Sequence, residues 1–226
     1  MTTIGIIGSG NIGSVLSRLA VDAGYDVVIA NSRGPQSLTD LVDRLGPRAR
    51  AGTATEAATA GDLVVVTVPL GRVEDLPAEP LAGKVVIDTC NYYPERDGDI
   101  AALDSHELTT SEFVQRHFAG ARVVKAFNNI FAQNLADLPR PAGAPDRTTL
   151  TIAGDDEAAE RTVAEFIDAI GYDTFDTGSL AESWRFQRDQ PAYAGAYTES
   201  GDPAEPRRRT PEELQLLLDR ADRSIR

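Results

Sequence analysis

The sequence predicts an α/β fold in which helices cover both faces of a doubly wound, mostly parallel sheet. Short apolar runs alternate with helix-periodic segments as far as residue 176, and a glycine-rich turn joins the first run to the first helix. The run at residues 63–68 is apolar almost throughout, as expected of a parallel strand that is buried on both faces. A polar segment and a final helix follow, so we also predict a C-terminal helical extension.

The first strand, at residues 4–7, leads into a turn with the pattern G-x-G-x-x-G. The first glycine of this pattern allows the tight bend, the second lets a pyrophosphate approach the backbone, and the third lets the helix pack closely. The free N–H groups at the N-terminus of the helix favour a phosphate. We therefore predict a Rossmann-type dinucleotide site at Gly8, Ser9, Gly10, Asn11, Ile12 and Gly13. The alternatives are a turn that serves packing alone, or an FAD or S-adenosylmethionine site.

The helix after the turn supports this interpretation, because its apolar residues recur with helical spacing and share one face. That face contains Ile12, Val15, Leu16, Leu19, Ala20 and Ala23. Gly24 then ends the helix, and a second strand is predicted at residues 26–30. The order of strand, turn, helix and strand is the one that a dinucleotide site requires.

The residues after the second strand indicate which dinucleotide binds. NAD and FAD sites usually place Asp or Glu there to bind ribose hydroxyls. This chain instead carries Asn31, Ser32 and Arg33. A carboxylate would repel a 2′-phosphate, whereas a hydroxyl and a guanidinium would bind it. We therefore predict NADP(H), the alternative being that Arg33 is a solvated loop residue.

The later segments continue the alternation of strands and helices. Pro35 begins a second helix, residues 55–58 form a small one, and Thr110 or Ser111 caps a helix that ends near residue 118. Residues 95–109 look irregular, and an apolar helix face precedes Gly171. Further strands are predicted at residues 48–51, 63–68, 84–87, 122–127, 148–153 and 172–176.

Ligands of such sheets bind at the carboxyl ends of the strands, so the residues that follow strands four, five and six are expected to face the cofactor. Asparagine side chains there can hydrogen-bond a carboxamide or the edge of a heterocycle, or they can serve turns. The residues concerned are Val68, Pro69 and Leu70 after strand four, Asn91 after strand five, and Asn128, Asn129 and Ile130 after strand six.

Four segments together resemble the NADPH:coenzyme F420 oxidoreductase family: the glycine turn, residues 31–35, the strand end at Val68-Pro69, and residues 125–130. The resemblance covers roughly residues 3–185. It implies an enzyme that transfers a hydride between NADP(H) and the deazaflavin coenzyme F420. The acceptor would lie over the nicotinamide, near Pro69, Leu70, Asn91, Asn128, Asn129 and Ile130. The family also includes members with other acceptors, among them the reductase domains of ferric reductases.

Hydride transfer between two rings requires alignment and exclusion of water rather than an acid–base pair. We therefore assign no catalytic side chain and expect Pro69, Asn128, Asn129 and Ile130 to align the rings. His106, His117 and Cys90 are interpreted as structural residues, and no cluster has the spacing of metal ligands. The alternative functions are a reductase of the same fold that acts on an imine, a flavin or a metal complex, and a non-enzymatic NADP sensor.

The final fifty residues differ in character, so we predict an NADP-binding domain at residues 1–178 and an extension at residues 179–226. Residues 179–188 are compatible with a helix, and residues 189–209 read as an extended polar segment. A capping box at residues 210–213 then begins a helix with an apolar stripe of Leu214, Leu217 and Leu218. The stripe is expected to pack on its own body or, through exchange across a two-fold axis, on a second subunit; we predict the homodimer.

Composition limits the partners and the location. The 226 residues carry a net charge of −13, which argues against binding to nucleic acids or membrane surfaces, and leaves a small molecule as the expected substrate. No apolar run reaches the roughly 18 residues of a membrane span. A single cysteine fits a reducing compartment, and a strand that begins at residue 3 leaves no room for a signal peptide, so we expect the cytoplasm.

Overall fold

The computed structural model describes residues 2–224, within which eight strands form one sheet. In chain order they are β1 (Thr3–Ile7), β2 (Asp26–Ala30), β3 (Ala49–Gly52), β4 (Leu63–Val66), β5 (Val85–Asp88), β6 (Arg122–Lys125), β7 (Thr149–Gly154) and β8 (Asp173–Asp176). Their spatial order is β3-β2-β1-β4-β5-β6-β7-β8. Strands β1 to β6 are parallel, whereas β7 is antiparallel to β6 and parallel to β8. The predicted doubly wound, mostly parallel sheet is confirmed.

Helices connect the strands and cover both faces. They are α1 (Asn11–Asp22), α2 (Thr39–Leu45), α3 (Ala54–Ala60), α4 (Pro94–Asp97), α5 (Ala101–Asp104), α6 (Thr110–His117), α7 (Ala132–Asp137), α8 (Glu157–Ala169) and α9 (Pro211–Leu218). Short 3₁₀ segments occur at Pro35–Leu38, Leu70–Asp75, Glu79–Leu81, Leu180–Phe186 and Ala194–Tyr197. Throughout residues 2–224, no helix combines the length and the apolar character needed to cross a membrane.

Alternate residues of the strands pack into two separate hydrophobic cores, one on each face of the sheet. Ile4 and Ile6 of β1 pack with α1, α2, α7 and α8, whereas Ile7 packs with α3 and α6 on the other face. Gly5 allows α3 to lie directly on β1, because a Cβ atom there would stand 2.2 Å from the carbonyl oxygen of Ala57. Strands buried on both faces explain why the apolar runs in the sequence are continuous.

Three local predictions differ from the structure. Residues 95–109 contain the one-turn helices α4 and α5, and α7 follows β6 where no helix is predicted. These helices have six residues or fewer, so their sequences show no clear helical period. The helix expected at residues 179–188 is a 3₁₀ segment, Leu180–Phe186.

The C-terminal extension packs back on the sheet. Residues 189–209 are not an extended polar tether, because Ala192, Ala194 and Tyr197 within them are buried. The capping box of α9 is confirmed at Thr210 and Glu213. Leu214 and Leu218 are fully buried against their own chain, which is the first of the two arrangements that the sequence left open, and the homodimer stays a prediction. The predicted boundary between residues 178 and 179 stays a prediction, and residues 1, 225 and 226 of the two predicted units lie outside the described residues.

Candidate dinucleotide and acceptor site

A long cleft runs along the carboxyl edge of the parallel strands and consists of two adjoining hollows. The first, here called the β2 hollow, has a volume of about 650 Å³ and lies among the residues that follow β1, β2 and β4. The second, the tail hollow, has a volume of about 430 Å³ and lies among the residues that follow β4, β5 and β6 and the C-terminal extension. Both hollows are lined by Gly10, Thr67, Val68 and Pro69, which makes them one continuous cleft.

The glycine turn has the geometry of a phosphate cradle. Gly8 has a φ of +122°, and a Cβ atom there would lie 2.0 Å from the carbonyl oxygen of Thr67. A Cβ atom on Gly13 would lie 2.0 Å from the carbonyl oxygen of Gly8, so both glycines are required by packing. Gly10 differs, because nothing lies within 4 Å of its Cβ position. Helix α1 begins next to this open backbone with no side-chain cap and no acidic residue in its first turn, which leaves its N-terminus available to an anion.

Asn31 organises the loop after β2. Its Nδ2 atom lies 3.2 Å from Ser9 Oγ and 2.9 Å from Ser37 Oγ, and its Oδ1 atom accepts the backbone N–H of Arg33 at 3.0 Å. These bonds tie the loop to the glycine turn and leave Ser32 and Arg33 exposed at the wall of the β2 hollow. Within residues 2–224 the Arg33 guanidinium makes no ion pair.

The loop after β4 forms the opposite wall. Val68 and Pro69 line both hollows, as predicted for residues at the end of this strand. Leu70, in contrast, has no exposed surface and packs in the core, so it does not line the cleft. Arg72 and Asp75 form an exposed ion pair at 2.9 Å that also lines the β2 hollow. Both residues lie in the 3₁₀ segment Leu70–Asp75, which follows β4, and they were not predicted from the sequence.

Two asparagine amides are paired in the tail hollow. Asn91 Nδ2 donates to the carbonyl oxygen of Asn128 at 2.8 Å, and Asn128 Nδ2 donates to Asn91 Oδ1 at 3.2 Å and to the carbonyl oxygen of Phe186 at 3.0 Å. Asn128 Oδ1 is buried and has no hydrogen-bond partner among the described residues. Asn11, Ile12 and Ile130 also line this hollow.

Asn129 points elsewhere, although the sequence places it beside Asn128. Its Nδ2 atom donates to Thr151 Oγ1 at 3.0 Å and to the carbonyl oxygen of Ala192 at 2.8 Å, so it joins β7 to the extension. The preceding residue, Phe127, has a φ of +61°, a left-handed conformation that is rare for an aromatic residue. This bend separates the two amides, and only Asn128 faces the cleft.

A buried ion pair lies below the tail hollow. Lys125 Nζ lies 3.4 Å from Asp88 Oδ2 and donates to the carbonyl oxygen of Cys90 at 3.0 Å, and both charged side chains have no exposed surface. Asp88 also accepts hydrogen bonds from Ser111 Oγ at 2.6 Å and from the Cys90 N–H at 2.8 Å. Burial, and then the charge of Asp88, raises the pKa of the Cys90 thiol, which indicates a packed residue rather than a nucleophile. The pair thus fixes the loop that carries Asn91.

The outer end of the tail hollow combines aromatic and charged groups. Tyr93 and Arg96 come from the segment after β5, and Tyr193 comes from the extension. Arg96 forms two bonds of 2.8 Å to Asp97, which also accepts the N–H groups of Tyr93 and Gly71. Burial raises the pKa of Asp97, but these hydrogen bonds and the Arg96 charge outweigh it and hold that pKa below its ordinary value. Sequence analysis missed Tyr193, because nothing in an apparently polar tail indicates contact with β5.

Comparison with known proteins finds a family match over the first part of the chain. The family described as NADP oxidoreductase, coenzyme F420-dependent, matches residues 3–92. The hypothetical protein SMa0349 of Sinorhizobium meliloti is 35% identical, with a TM-score of 0.75 over 86% of this chain and 94% of that one. A candidate F420-dependent NADP reductase from Arthrobacter sp. FB24 is 25% identical, with a TM-score of 0.67 over 81% of this chain and 87% of that one. Residues 3–92 thus match a family of NADP oxidoreductases. The resemblance predicted from the sequence is therefore confirmed.

A further relative is named as a metalloreductase. The rat protein named Metalloreductase STEAP3 is 32% identical over 182 residues, which are 80% of this chain and 34% of the rat protein. The chain therefore spans about a third of the length of that relative. Because the match with the family description ends at residue 92, it includes the residues that line the β2 hollow and leaves half of those that line the tail hollow outside.

Proposed function

We propose that the chain transfers a hydride between NADPH and the deazaflavin coenzyme F420. The observation that carries the proposal is the continuity of the cleft from Arg33, through Gly10 and Pro69, to the Asn91–Asn128 pair. This path joins a basic site for a 2′-phosphate, an open backbone for a pyrophosphate, and amide groups for a carboxamide. When bound, the nicotinamide supplies the hydride.

The residues of the cleft fit this cofactor. Arg33 and Ser32 would hold the 2′-phosphate, because the loop after β2 places no carboxylate beside them that would repel it. The N-terminus of α1 and Gly10 would hold the pyrophosphate, because a cap is absent there and the space at Gly10 is open. Asn128 Oδ1, which lacks a partner within residues 2–224, would accept the N–H of the nicotinamide carboxamide.

The direct test is to mix the protein with NADPH and oxidised coenzyme F420 and to follow the absorbance of both. We expect NADPH to be oxidised in step with reduction of the deazaflavin, and NADH to be a much poorer donor. A second candidate acceptor is a ferric complex, favoured by the name of the rat relative and its 32% identity. Oxidation of NADPH by ferric citrate but not by the deazaflavin would select that candidate.

Two further proposals concern the cellular location and the oligomeric state of the protein. A cytoplasmic location is supported by the single cysteine, Cys90, which is buried and unpaired. A homodimer is supported by the frequency of symmetric dimers among soluble enzymes. Sedimentation of the full chain over a range of concentrations tests the second proposal.

A further inference from the structure

Two tyrosine hydroxyls meet at the outer end of the tail hollow. Tyr93 Oη and Tyr193 Oη lie 2.6 Å apart, although the residues are 100 positions apart in the chain. Both side chains line the hollow that also contains Asn91 and Asn128. Hydrogen bonds hold the segment that carries Tyr193 in place. The carbonyl oxygens of Phe186 and Ala192 accept bonds from Asn128 and Asn129, which follow β6.

One of the two O–H groups of this tyrosine pair is left without an acceptor in the described part of the chain. Two phenols carry two O–H protons, and a single hydrogen bond between the oxygens uses one of them. Among residues 2–224, neither hydroxyl has an acceptor other than its partner. Whichever tyrosine donates to the other, one O–H group therefore remains free beside the cleft.

The surroundings keep Tyr193 protonated and pair each nearby guanidinium with a carboxylate. Burial, together with the Tyr93 hydroxyl, raises the pKa of Tyr193 well above its ordinary value. The guanidinium carbons of Arg96 and Arg188 lie 4.6 and 4.5 Å from the centre of the Tyr93 ring. Arg96 is paired with Asp97, and Arg188 is paired with Glu95 and Asp189, so each cation facing the phenols has an acidic partner. Tyr193 is therefore protonated at neutral pH, so it can donate a hydrogen bond, and it gives up its proton only to a strongly basic atom such as one that gains an electron pair on reduction.

We propose that the Tyr93–Tyr193 pair hydrogen-bonds the hydride acceptor and protonates it, which assigns the acceptor to conjugated C=N or C=O compounds rather than metal complexes. This inference rests on the proposed function, whose NADPH is the reductant. When the acceptor carbon gains the hydride, a C–H bond forms and the adjacent π bond breaks. Its electron pair passes to nitrogen or oxygen, which takes the phenol proton, and water at the open rim returns a proton to the tyrosinate. A ferric complex gains electrons without needing this proton.

The test compares Tyr93→Phe, Tyr193→Phe and the double variant with Tyr25→Phe. Tyr25 is partly buried, packs edge-on against Phe166 and lies outside the cleft, so its variant controls for loss of a phenol. Each single variant keeps one hydroxyl that can still donate, so we expect partial losses. The double variant removes both, and we expect its turnover with NADPH and coenzyme F420 to fall about a hundredfold, as for loss of a general acid.

A binding measurement gives a readout that does not depend on turnover. Titration of oxidised coenzyme F420 into the protein saturated with NADP⁺ is expected to show binding weakened about threefold to tenfold in the double variant. NADP⁺ binding by calorimetry and the thermal midpoint are expected to match those of Tyr25→Phe.

The outcomes separate the inference from the proposed function. A double variant with normal turnover and normal binding of the deazaflavin would overturn the role of the pair. Reduction of ferric citrate but of neither coenzyme F420 nor a cyclic imine would overturn the acceptor class while leaving an NADPH oxidoreductase. If NADP⁺ binds and no acceptor is reduced, the proposed function fails, and the inference fails with it unless the double variant still weakens binding of the deazaflavin.

Discussion

Arg33 provides the sharpest test at the scale of single residues. Replacement by alanine is expected to weaken NADPH binding about tenfold to a hundredfold, because a charge-assisted contact is worth about 1.5–3 kcal/mol. NADH binding is expected to change little, since NADH lacks the 2′-phosphate. Calorimetry with both cofactors makes the measurement, and Arg161→Ala, an exposed residue of α8, serves as the control. An equal loss of affinity for both cofactors would contradict the assignment of Arg33 to the 2′-phosphate.

Single residues also show where sequence reasoning stops. The glycine turn, Asn31 to Arg33 and Pro69 could be placed in the cleft because strand ends and turn chemistry fix them locally. Asn128 and Asn129 could not be distinguished, because the left-handed bend at Phe127 decides which amide faces the cleft. That bend is stabilised by tertiary packing of the Phe127 ring against Phe166, which no local pattern reveals.

At the scale of one element, the glycine turn separates binding from folding. Gly10→Val is expected to abolish NADPH binding, because the side chain would occupy the pyrophosphate position. Its Cβ site is open and its φ of −71° suits any residue, so the free energy of unfolding should change by about 1 kcal/mol or less. Gly13→Ala is the matched comparison and should cost about 1–3 kcal/mol, because its Cβ atom would meet the Gly8 carbonyl.

Denaturant unfolding and NADPH titration of both variants make this comparison. Tight NADPH binding by Gly10→Val would rule out the proposed position of the pyrophosphate. A loss of folding in Gly10→Val would instead show that the turn serves packing alone, which is the alternative that the sequence left open.

Helices and strands were predictable where the apolar residues of the sequence recur with a clear period. The strands, α1, α8 and the capped α9 follow from continuous apolar runs, helical spacing and a capping box. Helix α6 is also present, but it is capped by Thr109 rather than by the predicted Thr110 or Ser111. Helices α4, α5 and α7 are too short for a period, and the reversal of β7 is set by its pairing with β6. Residues 189–209 were misinterpreted because half of their buried residues are alanines, which carry a weak hydrophobic signal, and because the backbone bond from Thr149 of β7 to Arg209 is long-range.

At the scale of the whole molecule, Glu160 makes stability depend on pH. Burial and the nearby Asp176 raise the pKa of this carboxyl from 4.5 to about 7 in the folded protein. A raised carboxyl pKa favours the folded state fully below about pH 4.5, and this contribution disappears as the pH rises through about 7. Glu160→Gln is therefore expected to flatten the fall in stability over this range and to raise the unfolding midpoint above pH 7.

Denaturant midpoints measured across this pH range check the prediction. Glu165→Gln is the control, because Glu165 is an exposed residue of the same helix. A pH profile that is identical in wild type and Glu160→Gln would show that the carboxyl titrates normally in the folded protein.

The packing of α9 tests whether one chain is sufficient to complete the hydrophobic core around this helix. Leu218 is 1% exposed and packs with Ala153, Phe186 and Ala192, whereas Leu216 on the same helix is 59% exposed. Leu218→Ala is therefore expected to cost about 2–5 kcal/mol of folding free energy, and Leu216→Ala almost nothing. Because Leu218 packs on its own chain, the loss should be the same at low and high protein concentration. A loss that grows on dilution would show that a second subunit covers this helix, since only an association-linked stability depends on concentration.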